Sequence, residues 1–192
     1  VTSYGFELET LFQLTPDDRI GLNYSFTNAY YTNKNQPVAG TPATFGDFNG
    51  YDHIPGVVPH AATLSYDHAF HLFAGSKLTF GYDVRYRSAH NTNQALASQL
   101  TDPAYKSIIY PYVHVREQFV SDLNATWTSA GGMWSVTAWM RNVFNNQYKT
   151  LVGVTQPTVA TNPTSGVVQN VGTISAVPYD PRTYGVNINV KW

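Results

Sequence analysis

The sequence predicts an all-β fold, a transmembrane antiparallel up-and-down β-barrel wall, and three observations predict it. Apolar and polar side chains alternate with period two over segments of about ten residues, the length a tilted strand needs to cross a bilayer. Aromatic residues reach 15% of the chain while charged residues fall to 12%, about half the usual share in a soluble domain. Short turns and long polar loops follow one another in strict alternation. Mean hydropathy is -0.25 and the chain has no apolar run of ~20 residues, so spanning by helices is excluded. A wall one residue thick, with lipid on one face and water on the other, reconciles these facts.

The first strand, Val1–Leu14, sets Tyr4, Phe6, Leu8, Phe12 and Leu14 on one face and Gly5, Glu7, Glu9 and Gln13 on the other. Thr15-Pro16-Asp17-Asp18 is a tight turn, because Pro pre-sets φ and Asp bonds its own backbone. The second strand places Ile20, Leu22, Tyr24, Phe26 and Tyr30 against Gly21, Asn23, Ser25 and Thr27. A loop rich in Gly, Pro, Asn and Thr runs from about Asn33 to Val58. The third strand, about Pro59–Phe73, carries Leu64, Tyr66, Phe70 and Leu72, and Ala74-Gly75-Ser76 turns the chain. In the fourth, Leu78, Phe80, Tyr82, Val84 and Tyr86 alternate with Thr79, Gly81, Asp83, Arg85 and Arg87.

A second loop spans about Asn91–Tyr112. The fifth strand sets Phe119, Leu123, Ala125 and Trp127 against Asp122, Asn124, Thr126 and Thr128, and Ser129-Ala130-Gly131-Gly132 is the next turn. The sixth begins at Met133, with Trp134, Val136, Ala138 and Met140 opposite Ser135, Thr137, Trp139 and Arg141. A third loop, about Thr155–Tyr179, precedes the last strand, where Tyr184, Val186, Ile188, Val190 and Trp192 alternate with Gly185, Asn187, Asn189 and Lys191.

The charges segregate. Glu7, Glu9, Asp83, Arg85, Arg87, Asp122, Arg141 and Lys191 all fall on the polar face, and the assigned apolar positions hold no Asp, Glu, Lys or Arg. An Arg or Lys facing lipid at mid-membrane costs ~2–4 kcal/mol, so this partition is the expected one. A soluble antiparallel sandwich also alternates, but strands this long, loops of ~20 residues and rings near the strand ends fit aromatic girdles better.

Several function classes drop out. A formal net charge of -1 offers no basic excess for nucleic acid. Without Cys there is neither a disulfide nor a thiolate metal site. The six His are scattered, and His68 and His71, three apart on a strand, face opposite ways, so no metal site and no cofactor are expected. No Gly-x-Ser-x-Gly and no Gly-rich phosphate loop occurs, and no catalytic constellation emerges. Val1-Thr2-Ser3-Tyr4 is not a signal peptide; the expectation is a chain that begins inside a longer protein.

Two motifs go further. Thr183-Tyr184-Gly185-Val186-Asn187-Ile188-Asn189-Val190-Lys191-Trp192 resembles the β-signal read by the outer-membrane assembly machinery, with Gly185, Ile188, Val190 and Trp192 at its key places and Trp where Phe is commoner. Upstream, Asn142-Val143-Phe144-Asn145-Asn146-Gln147-Tyr148 resembles the Asn-Leu-Phe-Asp/Asn-x-x-Tyr run in the penultimate strand of TonB-dependent receptors, with Val143 at the Leu position. Tyr179-Asp180-Pro181-Arg182-Thr183-Tyr184-Gly185 is similar to that family's Pro-Pro-Arg-Thr-Tyr-Gly, with Asp180 replacing one Pro. The stretches Tyr24-Ser25-Phe26-Thr27-Asn28-Ala29 and Val58-Pro59-His60 to Leu64 are also family-like.

The resemblance implies that residues 1–192 are a C-terminal segment, roughly a third, of a 22-stranded barrel with a plugged lumen, with no plug domain in this chain. Val1–Leu14 and Thr183–Trp192 would be its open edges, untenable alone in lipid. It implies energised uptake across the bacterial outer membrane, most commonly of a ferric siderophore. The implied partners are outer-membrane lipid, the plug and remaining strands of the same receptor, TonB acting through the plug, and the assembly machinery; no nucleic acid is among them. Candidate substrate contacts in the loops are Phe45, Phe48, Tyr51, His53, Tyr105, Tyr110 and Tyr112, whose rings suit stacking or else pack the loops together. Asp83, Arg85, Arg87, Asp122 and Arg141 are candidates for plug contacts, or for pairing with each other along the wall. The competing readings are a small standalone barrel acting as passive pore or adhesin, an outer-membrane hydrolase with His and Ser on inward positions, and a soluble β-domain.

Overall fold

The computed structural model describes residues 1–30, 32, 53–92, 111–154, 158–161, 168–171 and 174–192; of residues 151, 153–154, 158–161 and 168–171 it describes the backbone alone. The strands, in chain order, are β1 Thr2–Gln13, β2 Asp18–Tyr30, β3 His60–His71, β4 Lys77–Arg87, β5 His90–Asn91, β6 His114–Val115, β7 Gln118–Thr128, β8 Trp134–Arg141, β9 Lys149–Val154, β10 Thr158–Thr161, β11 Val168–Val171, β12 Ile174–Pro178 and β13 Thr183–Val190. Seven of them form one antiparallel sheet in the order β1-β2-β3-β4-β7-β8-β13. Every wall strand lies beside its predecessor in the chain, the up-and-down meander the alternating turns and loops predict. Strands β1 and β13 are the two edges.

Register fixes the faces, because a strand slipped by one residue would turn every side chain over. One row across the sheet reads Leu8, Tyr24, Ala62, Tyr86, Phe119, and another Phe12, Ile20, Tyr66, Tyr82, Leu123, Met140, Tyr184. Rows on the other face are polar: Glu9, Asn23, Thr63, Arg85 and, two rows farther along, Gln13, Arg19, Asp67, Gly81, Asn124, Trp139, Gly185. Aromatic neighbours across strands reinforce the apolar rows, with Phe6 tilted against Tyr24 at 5.6 Å and Tyr86 against Phe119 at 4.9 Å; such pairs contribute about 0.5–1.5 kcal/mol beyond area.

The wall is inside out as a soluble fold. Among the described residues no second layer covers its apolar face: Phe6 is 58% exposed, Ile188 64% and Tyr184 76%. A sandwich would have buried that face against another sheet. The fully buried apolar side chains, Val113 and Val152, lie instead beyond the wall at its long-loop end.

Three corrections to the sequence reading follow. The third loop, expected over about Thr155–Tyr179, holds β10, β11 and β12, with β10 paired to β11 and β12 paired back to β9, which precedes it. The β-branched residues of Lys149–Val154 and Ile174–Pro178 let the chain pair with itself above the wall. The second loop is likewise pinned at its base by β5 and β6. Finally, the apolar face is not free of carboxylates, for Asp18 starts β2 on that face, opposite His68. It was read as part of the turn because its partner is 50 residues away.

Candidate functional site

The polar face carries paired and unpaired charge. Arg19 and Asp67 are register partners and bond at 2.7 Å. Arg85 Nη2 reaches Asp122 Oδ2 at 2.7 Å, one strand over. Gly81 makes room here, since a Cβ on it would meet Asn124 and Asp67 side-chain atoms within 3 Å. Arg141 lies over the Trp139 ring at 5.2 Å, a cation–π contact. That ring in turn rests on Gly185, where an added Cβ would stand 2.6 Å from it. Above them, Arg85, Asp122, Arg141, Asn142, Asp180 and Thr183 line a cleft of about 580 Å³.

The roof of this cleft is a hydrogen-bonded clasp. Asn142, 2% exposed and at φ +50°, ends β8. Its Nδ2 donates to the carbonyls of Asn146 and Asp180 at 3.0 Å, and its Oδ1 accepts the Asn146 N–H at 2.9 Å. Its own N–H donates to Asp122 Oδ1 at 2.9 Å, so the carboxylate that holds Arg85 also ends the strand. Asn146 Nδ2 donates to the Phe119 carbonyl, Asn145 Oδ1 accepts the Arg182 N–H, and the Arg182 guanidinium donates to the Val143 carbonyl. The Asn-Val-Phe-Asn-Asn and Asp-Pro-Arg motifs are therefore the two halves of one structure. Asn is the non-Gly residue that best tolerates the left-handed region, which is why it stands at positions 142 and 145, both with positive φ.

Beyond the clasp lies a second cleft of about 370 Å³, lined by His114, Arg116, Tyr148 and Lys149 among others. Lys149 Nζ sits 5.1 Å over the Tyr112 ring. Its carbonyl accepts from the buried Gln118 at 3.1 Å. His90 packs nearby, 8% exposed, with Nδ1 bonded to the Ser88 carbonyl at 2.9 Å. Burial, and less so Arg87 and His114, hold its imidazole below the usual pKa, although the Ser88 bond opposes them.

Of the candidate loop contacts, Phe45, Phe48, Tyr51, Tyr105 and Tyr110 lie outside the described residues. Tyr112 does border the basic cleft through Lys149. His53 does not: it forms a bridge to Tyr30 and extends β2. Of the wall candidates, Arg85, Asp122 and Arg141 meet in one cleft. Asp83 stands opposite Asp122 in register, and Arg87 opposite Gln118. In the C-terminal strand, Gly185, Ile188 and Val190 pair with Trp139, Val136 and Trp134, while Trp192 lies past the strand and is fully exposed. Sequence reasoning missed Arg116, Lys149 and the clasp role of Asn142. Arg116 and Lys149 share no local spacing, and only the paired motifs hinted at the clasp.

A structural comparison gives a match at probability 1.00 and TM-score 0.67 to the crystal structure of the ferric yersiniabactin uptake receptor FyuA from Yersinia pestis. The wall has the fold of an uptake receptor. Identity is 15%, and the match covers 98% of this chain and 23% of that one, so the chain spans under a quarter of the receptor's length. The likeness is one of fold: the seven-stranded wall matches a stretch of that receptor. No family model and no curated protein sequence matches the chain.

Proposed function

We propose that this chain is a segment of the barrel wall of a TonB-dependent outer-membrane transporter that takes up a bulky anionic ferric chelate of the siderophore kind. One observation carries the reading: a single-layer, seven-stranded meander with a bare apolar face and a charged opposite face, folded like a stretch of a ferric-chelate receptor. Lipid would cover the apolar face at no cost. The charged face would line a wet, plugged lumen, where Arg85, Arg87, Arg141, Asp83 and Asp122 meet the plug. The cleft with Arg116, Lys149 and Tyr148, and Tyr112 beneath Lys149, would face outside, where cations and rings suit an anionic aromatic chelate. Strand β13, with Gly185, Ile188, Val190 and Trp192, would serve as the assembly signal. No covalent chemistry is assigned.

The test uses the full-length protein purified from outer membranes in detergent. Its intact mass should exceed the 21.3 kDa of this chain several-fold. Ferric siderophores should quench its Trp fluorescence saturably, with weaker binding in the Arg116→Ala and Lys149→Ala variants. A mass near 21.3 kDa contradicts the transporter reading in favour of a small pore or adhesin. Absence of saturable binding across chelate classes contradicts the substrate.

A further inference from the structure

Several polar side chains on the apolar face of the wall pair with one another and involve no carboxylate. Asn28 Nδ2 donates to Tyr4 Oη at 2.7 Å, Tyr24 Oη meets His60 Nδ1 at 2.7 Å, and Tyr82 Oη donates to Ser121 Oγ at 3.0 Å. Asp18 departs from this pattern as the one carboxylate on that face among the described wall residues. Its Oδ1 accepts from Tyr66 Oη and from His68 Nδ1, each at 2.6 Å, and its Oδ2 bonds the Thr15 hydroxyl. An ionised carboxylate only accepts, so Nδ1 of His68 carries a proton, and the neutral form of this imidazole presents a lone pair at Nε2. Among the described residues no hydrogen bond uses Nε2. The His68 side chain is 29% exposed, and Phe70 stands edge-on to its ring at 4.3 Å. Asp17, one residue earlier, pairs with His71 instead.

We propose that Asp18, Tyr66 and His68 form a binding site for a phospholipid headgroup that carries a primary ammonium. The proposal rests on the membrane reading above. The site offers a carboxylate and open acceptors, so its ligand is a cation that donates N–H bonds. It lies at the first residue of β2, beside a tight turn, which in that reading is the boundary between lipid and water. Its neighbours on the face, Phe70 and Phe80, are apolar. A lipid amine already resides at that depth, whereas a free amine would have to leave water to reach it. A quaternary ammonium has no N–H to give, and an anionic headgroup meets the charge of Asp18.

The experiment is native mass spectrometry of the full-length protein in detergent, titrated with phosphatidylethanolamine, phosphatidylcholine or phosphatidylglycerol. Retention of the ethanolamine lipid should exceed that of the other two, and His68→Phe, which keeps a ring beside Phe70, should lower it about tenfold, the loss of one charge-assisted hydrogen bond. Folding of the variant is checked by its migration on gels before and after boiling. On the unaltered protein, a phosphatidylethanolamine with a photoreactive group near its glycerol should label peptides containing Asp18 or His68. Equal retention of the three lipids, unchanged retention in folded His68→Phe, or label spread evenly over the wall would overturn the site. Displacement by free ethanolamine at equal concentration would overturn the lipid assignment. A protein that stays soluble without detergent would instead refute the membrane reading itself.

Discussion

The two ends of the wall are built on different principles. At the short-turn end each connection is closed by a local bond of its own, and only the first also reaches β3, through Ala69 N to Asp17 O and through Asp18 to His68. Asp18 N bonds Thr15 O, Ser76 N bonds Phe73 O, and Gly132 N bonds Ser129 O, each spanning three residues. The positive φ values these turns require fall at Gly75, Gly131 and Gly132, and at Ala74. At the long-loop end the bonds join segments far apart in sequence: Gly56 N to Asn91 O, Thr92 N to Val113 O, Asn142 Nδ2 to Asp180 O. Local closure dominates at the first end, where only the Thr15–Asp18 turn is tied to another hairpin. Remote closure makes the second a single cooperative structure, with buried side chains of its own at Val113, Val115 and Val152.

Substitutions should therefore cost more at the long-loop end. The largest effect is expected for Asn142→Ala, which removes three hydrogen bonds of a buried side chain and leaves Ala in the left-handed region. The loss should be about 3 kcal/mol in urea unfolding. Asn142→Gly, which relieves the backbone but not the bonds, should recover about 1 kcal/mol of it. If both variants unfold like the parent, the clasp does not hold this end together.

Next is Gly185→Ala, on the wall between the two ends. The new methyl must displace the Trp139 ring, and with it the perch of Arg141. Overpacking of this kind costs about 2 kcal/mol, and a shifted Trp emission would report the movement. An unchanged spectrum with unchanged stability would show that the ring has another seat.

A smaller effect concerns His90. Its folded pKa is lowered by burial, so the unfolded chain binds the proton more tightly. Its contribution is present above the ordinary imidazole pKa and is lost as pH falls through that value toward the lowered one. Protection of the Gly56 and Thr92 amides, measured against their intrinsic exchange rates, should fall over that interval in the parent and not in His90→Phe, while that of the short-turn amides stays unmoved. The smallest effect is at the other end: Ala74→Gly relieves a φ of 56° and should be neutral or stabilising by less than about 1 kcal/mol. A clear destabilisation there would show that the turn is not local.

Legibility in the sequence follows the same division. The strands and short turns were readable because period two, Pro16 and the Gly pairs act within a few residues. The faces were readable because an error of register would have put Glu9 or Arg85 among the rings. The clasp was visible as two motifs 37 residues apart, but no local rule joins Asn145 to Arg182. The ribbons above the third loop escaped because short β-branched runs amid Gly, Thr and Pro read equally well as loop. Asp18 was misplaced for the same reason, since its strand partner His68 lies in another hairpin.

The central claim is that the apolar face of the wall meets lipid. The chain has no Cys, so single nitroxide labels can be attached through introduced cysteines at Leu8, Val84 and Ile188 on one face and at Glu9, Arg85 and Asn187 on the other. In reconstituted vesicles, collision with oxygen and with a water-soluble nickel chelate would be compared at each site. Alternation from residue to residue is expected, oxygen dominating at the first three positions and nickel at the other three. Nickel access that is equal on both faces would contradict it and make the sheet a soluble one.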